Sequence, residues 1–313
     1  MKFISNVKKM LKKNIKHKVP AFLLLLLATL SLSGCKTMLF DPHGIIAADE
    51  MKLFITALIL MLIVVIPVII ATLVIARRYR ASNNDAKYTP EFTHSTKLEI
   101  IWWGVPIIII AILGVITWHS THKLDPYRPL DVKRNGEVVK PITIQAISLE
   151  WKWLFIYPDQ GIATVNYVQF PVHQPVKFLI TSDAPMNSFQ IQQLAGQIYS
   201  MNGMQTKLHM MANKMGEYRG RSVSFSGDGF ANMRFVTKVT SENDFDKWVQ
   251  SVKASPNKLT TAEYKKLVVP SESNPPEYFS SVKPGLFKEV MMSFMMPPKG
   301  QMVPMNTGPE VHL

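Results

Sequence analysis

Two uncharged apolar runs constrain this chain more than any other feature. LFITALILMLIVVIPVIIATLVIA occupies residues 53–76, and IIWWGVPIIIIAILGVITW occupies residues 100–118. Crossing the hydrocarbon core of a bilayer takes about 20 apolar residues in a helix, and both runs meet that need. Trp102, Trp103 and Trp118 lie at the ends of the second run, at the headgroup level that aromatic rings favour. Pro67 and Pro106 sit mid-span, where a kink is tolerated if neighbouring helices or local adjustment satisfy the freed carbonyl. The predicted transmembrane helices are 53–76 and 99–118. The loop between them, 77–98, carries Arg77, Arg78, Arg80, Lys87 and Lys97, against Asp85, Glu91 and the adjoining Glu99. By the positive-inside tendency this loop is cytoplasmic, so everything after about residue 119 is predicted outside.

Ahead of the first span stands a targeting pattern. Seven lysines and no acid precede the apolar run AFLLLLLATLSL, which is too short to span comfortably and ends in Leu32-Ser33-Gly34-Cys35. Small residues before a cysteine fit a lipoprotein signal peptide over 1–34, with Cys35 lipidated and a short segment, 35–52, outside the membrane. An uncleaved anchor helix ending in an incidental cysteine is the alternative. Positive-inside orientation and lipidation place Cys35 on the same side. Cys35 is the only cysteine, so the mature chain has no disulfide and no free thiol. Removing residues 1–34 lowers the formal net charge from +13 to +6, which argues against a nucleic-acid partner.

From residue 141 the period of the pattern changes to two. PITIQAISLEWKWLFIYP, VNYVQF, PVKFLITSD and NMRFVTKVT are short alternating runs punctuated by Pro, Gly, Asn and Asp. Such runs predict an antiparallel β-sandwich or barrel over 141–240, joined to the membrane by a linker over 119–140. Residues 241–296 return to helical period. Ser241 to Asp244 and Thr260 to Glu263 have capping-box spacing, and GLFKEVMMSFMM forms a third apolar helix after Pro284. A Pro-, Gly- and Met-rich tail, 297–313, is predicted to be flexible. The fold class is therefore membrane-anchored α+β: a two-helix transmembrane hairpin, a β-sandwich, then C-terminal helices.

Constellations for soluble-enzyme chemistry are scarce. There is no G-x-S-x-G elbow, no Gly-rich phosphate loop after a strand, and no carboxylate pairing in the exported domain. His119 and His122 could share a metal or simply lie at the membrane interface. His173 and His209 are isolated and suit structural roles. Met291, Met292, Met295, Met296, Met302 and Met305 could offer thioethers to Cu(I); at helical spacing methionines more often fill gaps in packing.

The stretch GRSVSFSGDGFANM (220–233) has the layout of a tight loop between two strands that aims several side chains at one point. Two N-terminal spans followed by an exported sandwich resemble subunit II of the haem-copper respiratory oxidases. In its cytochrome c oxidase branch the sandwich is a cupredoxin with a dinuclear copper site, held by a first His and by Cys-x-Glu-x-Cys-x3-His-x2-Met. Laid on this chain, that pattern puts Ser222 and Ser226 at the cysteines and Ser224 at the glutamate. Phe230 falls at the second histidine, Met233 at the methionine and Asn187 at the first histidine. Two bridging thiolates are soft anionic donors. A serine hydroxyl stays protonated at neutral pH, and phenylalanine donates nothing. With that loss, the lipobox and the strings MLIVVIPVII, YRASNNDAKY, EWKWLFIYPDQGIATVN and GQIYSMNGMQT resemble subunit II of the cytochrome bo-type ubiquinol oxidases, from about residue 32 to about 296.

The resemblance implies a cupredoxin-like sandwich and a non-redox structural subunit of a proton-pumping complex that oxidises ubiquinol and reduces oxygen to water. Haems and copper would sit in a partner subunit I, with no cofactor in this chain. Further small membrane subunits and membrane lipid would be the other partners. The implied location is the bacterial inner membrane, with a lipid-anchored N-terminus and the C-terminal domain in the periplasm. Glu99 matches the family's glutamate near the entrance of the K proton channel, a proton-entry role; as a first-turn acid it is also favoured by the helix dipole alone. Trp151 and Trp153 match an aromatic pair on the electron path of copper-bearing relatives, and burial against subunit I or the sandwich core is the alternative. Two other readings remain: a stand-alone membrane lipoprotein binding a ligand or partner through its sandwich, and a copper-bearing electron carrier, which the missing donors weaken.

Overall fold

A computed structural model describes residues 38–295, apart from 84, 88 and 135. The signal peptide with Cys35, the residue Met296 and the tail with Met302 and Met305 lie outside the described residues. Residues up to Asp41 form a unit of their own, of which the 3-10 turn Met38–Phe40 is described.

Both apolar runs are helical, and the helices are longer than the runs: α1 is Ile45–Arg78 and α2 is Thr96–Lys123. Segments expected as flanking loop and linker therefore extend the spans. Ile100, Trp103, Ile110 and Trp118 are each 68% exposed; apolar surface on this scale needs lipid or other helices against it. Asp49 near the start of α1 pairs with Lys123 at the end of α2 at 2.7 Å. The chain just before α1 is hydrogen-bonded to the exported domain: His43 and Gly44 N–H both donate to the Gln193 carbonyl, at 2.7 and 2.9 Å. A Cβ at Gly44 would sit 2.1 Å from the Leu194 carbonyl oxygen, so only glycine permits this approach.

After the small hairpin of β1 (Lys133–Arg134) and β2 (Glu137–Val138), the exported domain is built on two sheets. The six-stranded sheet contains β3 (Ile142–Leu149), β4 (Lys152–Tyr157), β5 (Ile162–Val165), β7 (Val176–Ser182), β10 (Thr206–Met210) and β13 (Glu277–Phe279), in the order β10-β7-β3-β4-β5-β13. The five-stranded sheet contains β6 (Tyr167–Pro171), β8 (Asn187–Gln190), β9 (Gln197–Ser200), β11 (Gly216–Ser222) and β12 (Arg234–Thr240), in the order β6-β12-β11-β8-β9. Most ladders are antiparallel, as expected, but β3–β7 and β12–β6 are parallel. The sandwich is thus mixed rather than antiparallel throughout. Side-chain alternation has a period of two in either strand direction, so the pattern could not reveal the parallel pairs.

Alternation also hides a second core. Ile144, Ala146, Trp153, Phe155, Tyr157 and Ile162 face the interior between the sheets. Their neighbours Ile147, Leu149, Leu154, Ile156, Ala163 and Val165 face the opposite way, into a cluster with Leu259, Tyr264, Leu267, Phe279, Leu286, Phe287 and Val290. That second layer comes from the C-terminal region, where α4 (Thr261–Val268) and α5 (Leu286–Ser293) flank β13, a strand inside a segment read as helical. By contrast, α3 (Glu242–Lys253) adds Phe245, Val249 and Val252 to the inter-sheet core. Both predicted caps form: Ser241 and Thr260 accept from the N–H of Asp244 and Glu263.

The run VNYVQF, read as one strand, is broken at Asn166, where the chain leaves the six-stranded sheet for the five-stranded one. Asn166 has φ +52, the left-handed region that asparagine tolerates better than most residues. Its Oδ1 accepts from the buried Trp153 N–H at 2.9 Å, and its Nδ2 donates to the Asn274 carbonyl at 3.0 Å. Asn166→Gly keeps the backbone shape but strands the Trp153 N–H. It should lower stability by about 1–3 kcal/mol, read as a lower denaturation midpoint of the detergent-solubilised chain.

Candidate functional site

The loop between β11 and β12 is positioned by two strand ends and one indole. The strands are antiparallel neighbours through Arg221 and Arg234, and Ser222 N–H donates to the Met233 carbonyl at 3.1 Å, closing the loop's base. The 3-10 turn Asp228–Asn232 then brings the chain back into β12. Beneath the loop, the β3–β4 hairpin turns at Glu150 and Trp151, with Trp151 at φ +62. The Trp151 Nε1–H donates to the Ser226 carbonyl at 3.0 Å. Its ring lies under two glycines. A Cβ at Gly227, φ +103, would fall 3.4 Å from Trp151 Cζ2, and one at Gly229 would fall 2.3 Å from Cδ2. The Gly-Asp-Gly layout is thus explained by close approach to an indole.

Most of the positions singled out in the sequence do converge. Asn187, Ser222 and Met233 are buried. The Ser222 hydroxyl donates to Asn187 Oδ1, and Ser224 Oγ lies 2.7 Å from Ser188 Oγ. The chain at Met233 is joined to Phe230, its N–H donating to the Phe230 carbonyl at 3.1 Å. Phe230 turns its ring to Phe225, with centroids 5.6 Å apart. Ser226 contributes its carbonyl to Trp151, while its buried hydroxyl and the buried Asn187 Nδ2 have no hydrogen-bond partner. Trp153 is fully buried, edge-on to Phe189 at 5.2 Å, which is the core role weighed against an electron path. Ser188 and the floor formed by Trp151 carried no signal in the sequence, because their roles depend on strand register and on a hairpin turn.

The donor set does not fit a dinuclear copper centre. Such a centre takes two thiolates, and the chain's one cysteine is at position 35. The hydroxyls at 222 and 224 are engaged with Asn187 and Ser188, and position 230 is a ring without a lone pair to give. Among the described residues no group of three or more His, Cys, Asp or Glu could hold a metal. His122 Nδ1 lies 2.7 Å from the Trp118 carbonyl oxygen, and His209 Nδ1 lies 3.0 Å from the Pro126 carbonyl oxygen. Close by the loop, Lys152 is buried and donates to the Val269 carbonyl at 2.9 Å; burial holds its ammonium below the ordinary lysine range.

The second candidate lies at the other end of the molecule. Glu99 is in the first turn of α2, whose N-cap Ser95 makes no side-chain capping bond. Its side chain is 38% exposed, and Oε1 is 2.6 Å from His94 Nδ1. His94 was not singled out in the sequence; it lies in an irregular segment where no periodicity predicts which way it faces.

With this geometry in view, the comparisons with known proteins fall into place. The COX Aromatic Rich Motif family matches residues 253–298, the stretch that supplies much of the second core. The chain is 57% identical to cytochrome bo(3) ubiquinol oxidase subunit 2 of Pseudomonas aeruginosa over 265 residues, covering 85% of this chain and 78% of that one. It is 54% identical to the Pseudomonas putida protein of the same name, over 85% of this chain and 83% of that one. Ubiquinol oxidase subunit 2 of Acetobacter aceti is 47% identical, over 85% and 86%. The chain belongs to the ubiquinol oxidase subunit 2 family. A ubiquinol oxidase subunit 2 is part of an oxidoreductase complex, which fits a subunit I partner for the uncovered faces of α1 and α2. Two helices long and apolar enough to cross a membrane fit a membrane-anchored protein, and a β-sandwich follows them.

Gly229→Ala should drive the Trp151 ring from beneath the loop. The expected cost is about 1–3 kcal/mol, with tryptophan emission shifted to longer wavelength as the indole reaches water.

Proposed function

We propose that this chain is the redox-silent subunit II of a proton-pumping respiratory ubiquinol oxidase. It braces the periplasmic side of a subunit I that holds the haems and copper, and that subunit oxidises ubiquinol and reduces oxygen to water. One observation carries the reading: the copper-loop positions hold Asn187, Ser222, Ser224, Ser226 and Phe230, none of them a thiolate or imidazole, and the Ser222 and Ser224 hydroxyls are spent on hydrogen bonds to Asn187 and Ser188. Such a loop offers no resting place for an electron, so quinol must be oxidised in another chain. Two spans with uncovered apolar faces supply the contact with subunit I and with further small membrane subunits. The Leu-Ser-Gly-Cys sequence supports a lipid anchor at Cys35 on the periplasmic side.

Purification through a tag on this chain should bring down a haem-bearing subunit. Chain stripped of that subunit should hold sub-stoichiometric copper. Stoichiometric copper with intense visible absorption in the stripped chain would overturn the redox-silent assignment.

The reading extends to Glu99 as a proton collector at the cytoplasmic end of α2. A carboxylate at a membrane boundary, hydrogen-bonded to an exposed imidazole, is suited to take up protons from water and pass them to a neighbouring helix. Glu99→Ala in the assembled oxidase should slow quinol-driven oxygen consumption several-fold while leaving haem content unchanged. Unaltered turnover would reduce Glu99 to a helix-dipole acid.

A further inference from the structure

The outer face of the five-stranded sheet carries an arrangement that nothing above uses. Arg221 on β11 is directly opposite Arg234 on β12, and also opposite Gln190 on β8, which in turn faces Gln197 on β9. One row across four strands therefore reads Gln197, Gln190, Arg221, Arg234. Arg219 stands on the same face of β11, two residues along and diagonal to Arg234. All three arginines are exposed, with Gly220 between Arg219 and Arg221, and Tyr218 before them, turned inward.

Like charges directly opposite on an antiparallel pair are destabilising, and the carboxylate on this face of β11, Glu217, is paired with Lys238 instead. Among the described residues none of these arginines joins an ion pair. The bonds they make go to neutral oxygens: Arg221 donates to Gln190 Oε1 and Gln192 Oε1, each at 3.3 Å, and Arg234 Nε donates to the Ala231 carbonyl at 3.1 Å. Two glutamine oxygens thus steer the Arg221 guanidinium without neutralising it. Rigid strands hold the three forks at ladder spacing, and a guanidinium fork matches a carboxylate through two parallel hydrogen bonds.

We propose that this face is a docking site for an acidic protein segment, with Arg221 and Arg234 as its central contacts and Arg219 at the flank. The occupant follows from charge and from the row itself. Val236, opposite Arg219, is apolar, but the row itself is polar from end to end, whereas a surface that seats in a membrane interface sets several apolar and aromatic residues among its cations. A strand or loop bearing two or three carboxylates neutralises the opposed arginines and removes the cost of their pairing. The inference is independent of the copper loop and of Glu99.

The test uses the full chain in detergent and a fluorescein-labelled decaglutamate peptide, with decaglutamine as the neutral control. Variant R221Q/R234Q is compared with K247Q/K253Q, which removes the same charge from α3. Decaglutamate should bind the native chain and K247Q/K253Q alike, and R221Q/R234Q about tenfold more weakly. Without peptide, R221Q/R234Q should melt no lower than the native chain, since its side chains are exposed and a repulsion is relieved. With peptide, only the native chain and K247Q/K253Q should melt higher. Equal loss in K247Q/K253Q, or equal binding of decaglutamine, would show diffuse attraction and overturn the site. Arginine-dependent flotation with phosphatidylglycerol vesicles, without arginine-dependent peptide binding, would overturn the choice of a protein partner.

Discussion

The strands β3, β4 and β5 are packed on both faces, and the rest of the exported domain is arranged around that double burial. A sheet in a two-layer sandwich needs one apolar face; this one needs two, and the second sheet can cover only the first. The stretch from about residue 257 to Ser293 supplies the other cover, through Leu259, Tyr264, Leu267, Phe279, Leu286, Phe287 and Val290. Burying a large apolar side chain contributes about 1.5–3 kcal/mol, so seven of them make the C-terminal region part of the domain's stability rather than an appendage. The family match over residues 253–298 covers the whole of this layer.

Double burial also fixes where the loop at 223–233 can sit. Trp151 and Trp153 are two apart on a chain entering β4, yet they do different things. Trp153 points into the inter-sheet core; Trp151 occupies the hairpin turn with a positive φ, which turns its ring under the two glycines. The loop is thereby held by ring packing, by a backbone closure at Ser222 and Met233, and by serine and asparagine bonds, each worth about 1 kcal/mol net. Frame and donors are separable: the strands and Trp151 set the frame, so donor residues can change without the loop collapsing. A ligand-shaped loop in a chain with a single cysteine therefore follows from how the loop is built.

Much of this was legible beforehand, for identifiable reasons. The spans announced themselves through length and lack of charge, and the helical caps at Ser241 and Thr260 through spacing. The identities at 187, 222, 224, 226, 230 and 233 were legible because metal chemistry depends on element type, which a sequence prints directly. What stayed hidden depends on direction and register. The parallel ladders share the period of antiparallel ones. The break at Asn166 needed a knowledge of φ, and β13 is a three-residue strand between helices. His94 beside Glu99 and Ser188 beside Ser224 are pairings that only folding defines.

Register also carries the last step. The arginines at 219, 221 and 234 lie apart in the sequence, and nothing in it pairs them. Pairing β11 with β12 places two of them face to face, and pairing β11 with β8 sets glutamine oxygens beside one fork. An exposed charge isolated on a strand costs nothing and means little. Two fixed opposite each other carry a repulsion that folding alone does not compensate, and that repulsion is relieved when carboxylates arrive. The same ladder that closes the donor-poor loop at one end thus builds, on its outer face, the charge arrangement best suited to recognising another protein.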